Sequence, residues 1–209
     1  MIEQIYQYGD QTQLKVKLST ERLLKELSQF NDNWSQYNEL KPWIQRQGLC
    51  ILNERGQTGP GPALNSIHEW NTKHNTNYTE FSFNKPTEVY KASTEIQNVF
   101  KDILPYSFRS HFLKLKPGGF FPPHRDYKGQ NQNLFRLIIP IVNCNPSSTR
   151  FMIEDRTLHW EYGYMYVVNT TKLHTLFNCD TQKDSIWLII NGSVCTEMVD
   201  FVNDNILIY

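Results

Sequence analysis

A chain of 209 residues fits one domain with a sizeable core, because single domains typically run ~100 to 200 residues. Its 21 lysine and arginine residues balance 21 aspartate and glutamate residues, so no basic field gathers nucleic acid and no acidic field repels it. The opening residues 1–7 lack a positively charged stretch followed by an apolar run, and no segment reaches the ~18 apolar residues of a membrane span, which predicts a soluble protein of the cytoplasm.

From Thr20 to Phe30 the apolar residues Leu23, Leu24, Leu27 and Phe30 recur at helical spacing and predict an amphipathic helix. Gly48 to Asn53 reads as a strand, and Gly56 to Pro62 as a turn-rich loop, either a surface connection or the border of a substrate cleft. A second helix runs through Ile96, Val99, Phe100, Ile103 and Leu104. It opens on Thr94-Glu95-Ile96-Gln97, where the Thr94 hydroxyl can accept from the third helical N–H while Gln97 reaches back, and it stops before Pro105. Beyond Pro105 the pattern changes to short β-type runs: Arg109 to Lys116, Leu134 to Val142, Arg150 to Glu154, Tyr164 to Val168 and Ser185 to Ile190. Turn signals fall at 117–119, 143–146 and 161–163, the last before a central strand, where Gly163 supplies a backbone position closed to other residues. The expectation is a mainly β fold with flanking helices around a double-stranded β-helix, the jelly-roll or cupin-like architecture.

The stretch Pro117-Gly-Gly-Phe-Phe-Pro-Pro-His124-Arg125-Asp126 carries the first chemistry. On an extended backbone alternate side chains share a face, so His124 and Asp126 point one way and Arg125 the other. His174 lies 50 residues on, enough chain to return across a jelly roll. Two imidazoles and one carboxylate form the facial triad of non-haem iron oxygenases and leave coordination positions open, unlike a closed four-ligand zinc site. His-x-Asp alone is not specific, arising by chance in about one such chain in four. A metal-dependent cupin of another reaction type and a non-catalytic jelly-roll binding protein therefore stand beside the oxygenase reading. Cys50, Cys144, Cys179 and Cys195 form no Cys-x-x-Cys pair and are expected to be reduced, mostly buried thiols.

Residues from about Arg109 to Gly192 resemble the aspartyl/asparaginyl β-hydroxylase-like branch of the 2-oxoglutarate oxygenases. The matching stretches are Pro117-Gly118 with Pro123-His124, then Phe135-Arg136-Leu137 to Pro140, then Arg156-Thr157 with Trp160-Glu161 and Gly163, then His174, then Ile186 to Ile190. The first hundred residues match nothing. The resemblance implies a jelly-roll core, Fe(II), O2 as oxidant, and 2-oxoglutarate decarboxylated to succinate and CO2 as a C–H bond is hydroxylated. It gives His124 and His174 as iron ligands and Arg136 as a 2-oxoglutarate contact. The namesake peptide hydroxylase binds iron through two histidines alone, whereas this chain has Asp126, the commoner pattern of the wider superfamily. The namesake also carries an arginine about ten residues after the distal histidine, where this chain has Asp184, so Lys183 is the rival cation to Arg136 for the far carboxylate.

His111 and His159 are ligands only if the triad is otherwise composed. Phe120, Phe121, Trp160, Tyr164, Tyr166 and Trp187 are either pocket-lining or core residues. The expectation is one oxygenase domain over 1–209, with a mixed helical and β half over 1–105 and a jelly-roll core over 106–195 carrying the metal site. Its substrate is expected to be an amino-acid side chain in a peptide or protein, or a small amino-acid-like metabolite, with neither nucleic acid nor membrane as partner.

Overall fold

The computed structural model describes residues 1–126 and 133–207. Its strands in chain order are Gln11–Lys17 (β1), Ser35–Gln36 (β2), Arg46–Cys50 (β3), Leu52–Asn53 (β4), Lys85–Pro86 (β5), Ser107–Leu115 (β6), Phe120–His124 (β7), Leu134–Val142 (β8), Thr149–Ile153 (β9), Arg156–Thr157 (β10), Tyr164–Val168 (β11), His174–Asn178 (β12) and Ser185–Ser193 (β13). A seven-stranded sheet in the order β1-β11-β8-β13-β6-β3-β2 faces a four-stranded sheet in the order β10-β9-β12-β7, and the ladders are antiparallel. From β6 onward the chain alternates between the two sheets, apart from the β9–β10 hairpin within the smaller one, which makes the core a double-stranded β-helix. Strands β1, β2 and β3 come from the N-terminal half and widen the larger sheet.

Side-chain periodicity explains the layering. Along β9 and β12 every second residue is buried, the mark of a sheet with one face on the core and one in solvent. Strand β8 is buried on nearly every residue because both faces of the larger sheet are covered. Ile138, Trp187 and Ile189 face the barrel interior, while Leu137, Ile139, Leu188 and Ile190 pack against the helices. Those helices are Ile2–Ile5 (α1), Thr20–Leu27 (α2), Ile67–His74 (α3), Glu88–Ala92 (α4), Thr94–Phe100 (α5) and Thr196–Asn205 (α6).

Several expectations shift. The helix expected over Thr20 to Phe30 ends at Leu27 and tightens into a 3-10 turn over Ser28–Asn33, and within it Leu23 and Leu27 are buried while Leu24 is exposed. The cap of α5 is Ser93, whose side chain accepts from the Ile96 N–H; Gln97 instead donates to the carbonyls of Tyr90 and Lys91. The strand expected over 48–53 is divided into β3 and β4. Strand β11, expected at the centre, is second from the edge.

Two glycines are dictated by close approach. A Cβ at Gly119 would collide with the Gln45 carbonyl, so the turn into β7 can lie against the chain entering β3 only without a side chain. Gly163 sits at φ +82°, and a Cβ there would stand 2.5 Å from the Leu18 carbonyl oxygen. Gly163→Ala is therefore expected to cost about 1 to 3 kcal/mol in a denaturant titration. A loss within experimental error would mean that the turn relaxes freely.

Candidate metal centre

His124 closes β7 and His174 opens β12, and the register pairs them directly, so sheet hydrogen bonding alone brings two imidazoles to one end of the barrel. Their ring centres are 4.2 Å apart. Each ring is held from behind: Nδ1 of His124 lies 2.7 Å from the Pro122 carbonyl and Nδ1 of His174 lies 3.0 Å from the Lys172 carbonyl. A proton on each Nδ1 leaves Nε2 as the free lone pair, the tautomer that a metal ligand needs. Asp126 is fixed by its backbone N–H donating to the Thr170 carbonyl at 2.9 Å. Its carboxylate stands 3.5 Å from His124 Nε2 and 4.0 Å from His174 Nε2. One ligand atom from each residue lies within 4.8 Å of the others, the grouping of this kind among the described residues. Ligands ~2.1 Å from one divalent ion stand roughly 3 to 4 Å from each other, so the donor set fits a metal with little adjustment. Arg125 points away and donates to the Thr171 carbonyl.

The loop before His174 is tied to the N-terminal segment. Asp10 accepts from the Asn169 side chain at 3.0 Å and pairs with Lys172 at 3.0 Å and Arg156 at 2.6 Å, while its carbonyl accepts from the Asn169 N–H. Asp10 therefore helps to place both Thr170 and His174.

Burial opposes ionisation of Asp126, but Arg136, with one nitrogen 2.6 Å from Oδ2, and the two histidines hold its carboxyl well below the usual carboxylate range. It is a carboxylate at neutral pH. Burial pulls His174 down to about 4 against the opposing pull of Asp126, which keeps the imidazole neutral.

The triad opens into a cavity of about 190 Å³ whose walls include Leu113, Ile138, Phe151, Leu176 and Ile189. Two polar atoms on this wall, His111 Nδ1 and Thr170 Oγ1, are buried and have no hydrogen-bond partner among the described residues. His111 is pushed down to about 3 by burial and by Arg109 and Arg136, so it is neutral and stands outside the triad. His159 is exposed on the surface. Arg136 lines the cavity at its metal end, because its guanidinium is bonded to Asp126. Lys183 does not line it: it is exposed in the turn after β12, beyond Asn178, and so at the opposite end of that strand from His174, roughly 13 Å along the backbone. Of the six aromatic residues, Phe121 lines the cavity; Trp160, Tyr166 and Trp187 are core, Tyr164 is half-buried against that core, and Phe120 is exposed. The Gly56–Pro62 loop contributes no cavity residue and is a surface connection folded around the Asn53 side chain.

The remaining wall was not legible from local sequence. Arg109 donates from Nη1 to Glu80 at 2.7 Å, from Nε to the Ala63 carbonyl at 3.0 Å, and from Nη2 to the Asn65 carbonyl. Asn191 donates to Glu80 at 3.4 Å and to the Arg109 carbonyl at 3.2 Å. Burial opposes the Arg109 charge, and the Glu80 carboxylate more than offsets it. This network fastens the irregular N-terminal segment to β6 and β13.

Among solved structures, a prolyl-4-hydroxylase from Pseudomonas putida aligns at 11% identity over 88% of this chain and 92% of its own, with a TM-score of 0.48. A predicted oxalate decarboxylase from Thermotoga maritima aligns at 13% identity over 43% of this chain and 69% of its own, with a TM-score of 0.32. A cupin 2 domain-containing protein from Halorhodospira halophila aligns at 12% identity over 43% and 54%, with a TM-score of 0.33. No curated protein matches the chain in sequence. Among the described residues no helix is long and apolar enough to cross a membrane. The profile of the aspartyl/asparaginyl beta-hydroxylase family matches residues 49–192, which begins 60 residues before the stretch that carries the resemblance read from motifs and spans more than half of the sequence; the chain belongs to the aspartyl/asparaginyl beta-hydroxylase family.

Proposed function

We propose that this protein is an Fe(II)- and 2-oxoglutarate-dependent hydroxylase that acts on an unactivated C–H bond of an amino-acid side chain, in a peptide or protein or in a small amino-acid-like metabolite. The observation that carries the reading is the open donor set: two imidazoles anchored through Nδ1 and one carboxylate, converging at the mouth of a cavity. His124, Asp126 and His174 would hold the iron, which when bound supplies the O2 chemistry and a chelation point for a 2-oxo acid. The balance is one 2-oxoglutarate, one O2 and one substrate C–H converted to succinate, CO2 and C–OH.

The chain's own groups do the rest. Arg136 takes one oxygen of Asp126 and leaves the other, 3.5 Å from His124 Nε2, for the cation. It keeps the carboxylate ionised and adds a positive charge beside the chelating end of the co-substrate. The apolar walls Ile138, Phe151 and Ile189 exclude water from the centre. A cytoplasmic setting, where thiols stay reduced, suits the four free cysteines.

Protein charged with Fe(II) and held under argon, then exposed to O2 with 2-oxoglutarate, should release succinate, and a panel of amino acids and peptides should raise that release when the substrate is included. Tight metal binding without succinate would point to a cupin of another reaction type. No metal retention would remove the enzymatic reading altogether.

A further inference from the structure

Among the described residues Arg46 is a buried cation without an anion. It lies on β3, before the family-matched residues 49–192, and only 4% of its surface is exposed. Its Nε is buried and has no hydrogen-bond partner among the described residues. The guanidinium carbon lies 4.0 Å from the ring centre of Phe121 and 5.4 Å from that of Tyr37, and both rings are walls of the cavity that holds the triad. Stacking on aromatic faces contributes ~1 to 2 kcal/mol, far less than the cost of desolvating a lone charge. Burial accordingly pulls the Arg46 pKa below its ordinary value. The two arginines that line the cavity are committed, Arg109 to Glu80 and Arg136 to Asp126, whereas Arg46 borders it through the Tyr37 and Phe121 rings.

Position selects the partner. Phe121 precedes His124 by three residues on β7, and their rings are 6.1 Å apart, so at most about 10 Å separates the Arg46 guanidinium from the His124 ring. A five-carbon 2-oxo diacid chelated at the triad extends its far carboxylate roughly 6 Å from the metal, and an arginine contact adds ~4 Å. Accepting the co-substrate reading above, we propose that Arg46 binds the far carboxylate of the 2-oxo acid, between the Tyr37 and Phe121 rings.

The test uses Mn(II) in place of iron, so that binding is read without turnover. Calorimetric titration compares 2-oxoglutarate with 2-oxopentanoate, which lacks only the far carboxylate. The parent protein should prefer 2-oxoglutarate by about 10- to 100-fold. Arg46→Met should erase that preference by weakening 2-oxoglutarate alone, and Arg46→Lys should keep part of it. Because the preference is a ratio within one variant, a partly destabilised fold leaves it readable. If Arg46→Met keeps the preference, the assignment is wrong while the co-substrate reading stands. If the parent binds neither acid, both fall. A second arm titrates L-aspartate and L-glutamate onto protein already holding Mn(II) and 2-oxoglutarate. Weakening there, with 2-oxoglutarate unaffected, would give Arg46 to the primary substrate's carboxylate and overturn the proposal.

Discussion

His174→Ala should lower succinate release by roughly a thousandfold or more and abolish retention of Fe(II), with the chain still folded. The ring supplies one of three donors, and an open site has no fourth protein ligand to compensate. Its structural share is modest, a stacked contact with Phe151 at 6.0 Å and 7° between planes, worth on the order of 1 kcal/mol beyond its burial. His124→Ala should behave alike at smaller cost to stability, since that ring is more exposed. Asp126→Asn is the more discriminating variant. The amide oxygen can still accept from Arg136, so geometry survives while the anionic ligand is lost. Activity close to the parent's in Asp126→Asn would mean that the two-histidine arrangement of the namesake applies here. Metal content and succinate release, measured on the same preparations, separate loss of iron from loss of chemistry.

Local periodicity made the barrel readable, and nothing local made its walls readable. Strand β8 over Leu134–Val142 and β11 over Tyr164–Val168 follow from alternation within single segments, and β6, β9 and β13 lie within three residues of the expectation, while β7 and β12, which carry the two histidines, are not among the expected β-type runs. The sequence spacing of His124 and Asp126, with His174 one barrel turn later, names three side chains that the register of β7 and β12 places together. Helix α3 buries none of its residues, so no apolar stripe announced it. Strand β1 is an edge strand in which Leu14 stands among polar residues. Glu80, Arg109 and Arg46 are not marked by local sequence, because each takes a deciding contact from a distant segment: Glu80 and Arg109 from each other, Arg46 from Phe121 on β7. A lone arginine in a polar stretch reads as solvated until the tertiary fold covers it.

Glu80→Ala should destabilise the protein by about 3 to 5 kcal/mol, lowering the melting temperature by roughly 6 to 20 °C for a chain of this size. The side chains of Arg109 and Glu80 are only 13% and 9% exposed, so the pair is a buried one, and removing the carboxylate leaves a guanidinium that water cannot resolvate. Two backbone carbonyls, those of Ala63 and Asn65, still accept from it, but dipoles do not neutralise its charge. Asn191 loses its contact with Glu80 at the same time. Glu80→Gln, which keeps an acceptor and removes only the charge, should fall between the parent and Glu80→Ala. The double variant Glu80→Ala with Arg109→Met should recover stability relative to Glu80→Ala, since the uncompensated ion is gone and methionine fills much of the space. Chemical denaturation of five proteins, the parent, Glu80→Ala, Glu80→Gln, Arg109→Met and the double variant, measures all of this and closes the cycle. Additive losses would show that Arg109 is held by its backbone contacts rather than by charge. A loss under about 1 kcal/mol in Glu80→Ala would mean that water reaches the pair, as it does in surface ion pairs. The expected non-additivity would instead identify charge pairing as the clasp that holds the segment around Ala63, Asn65 and Glu80 against β6, and hence as what keeps the Glu80 and Arg109 part of the cavity wall in place.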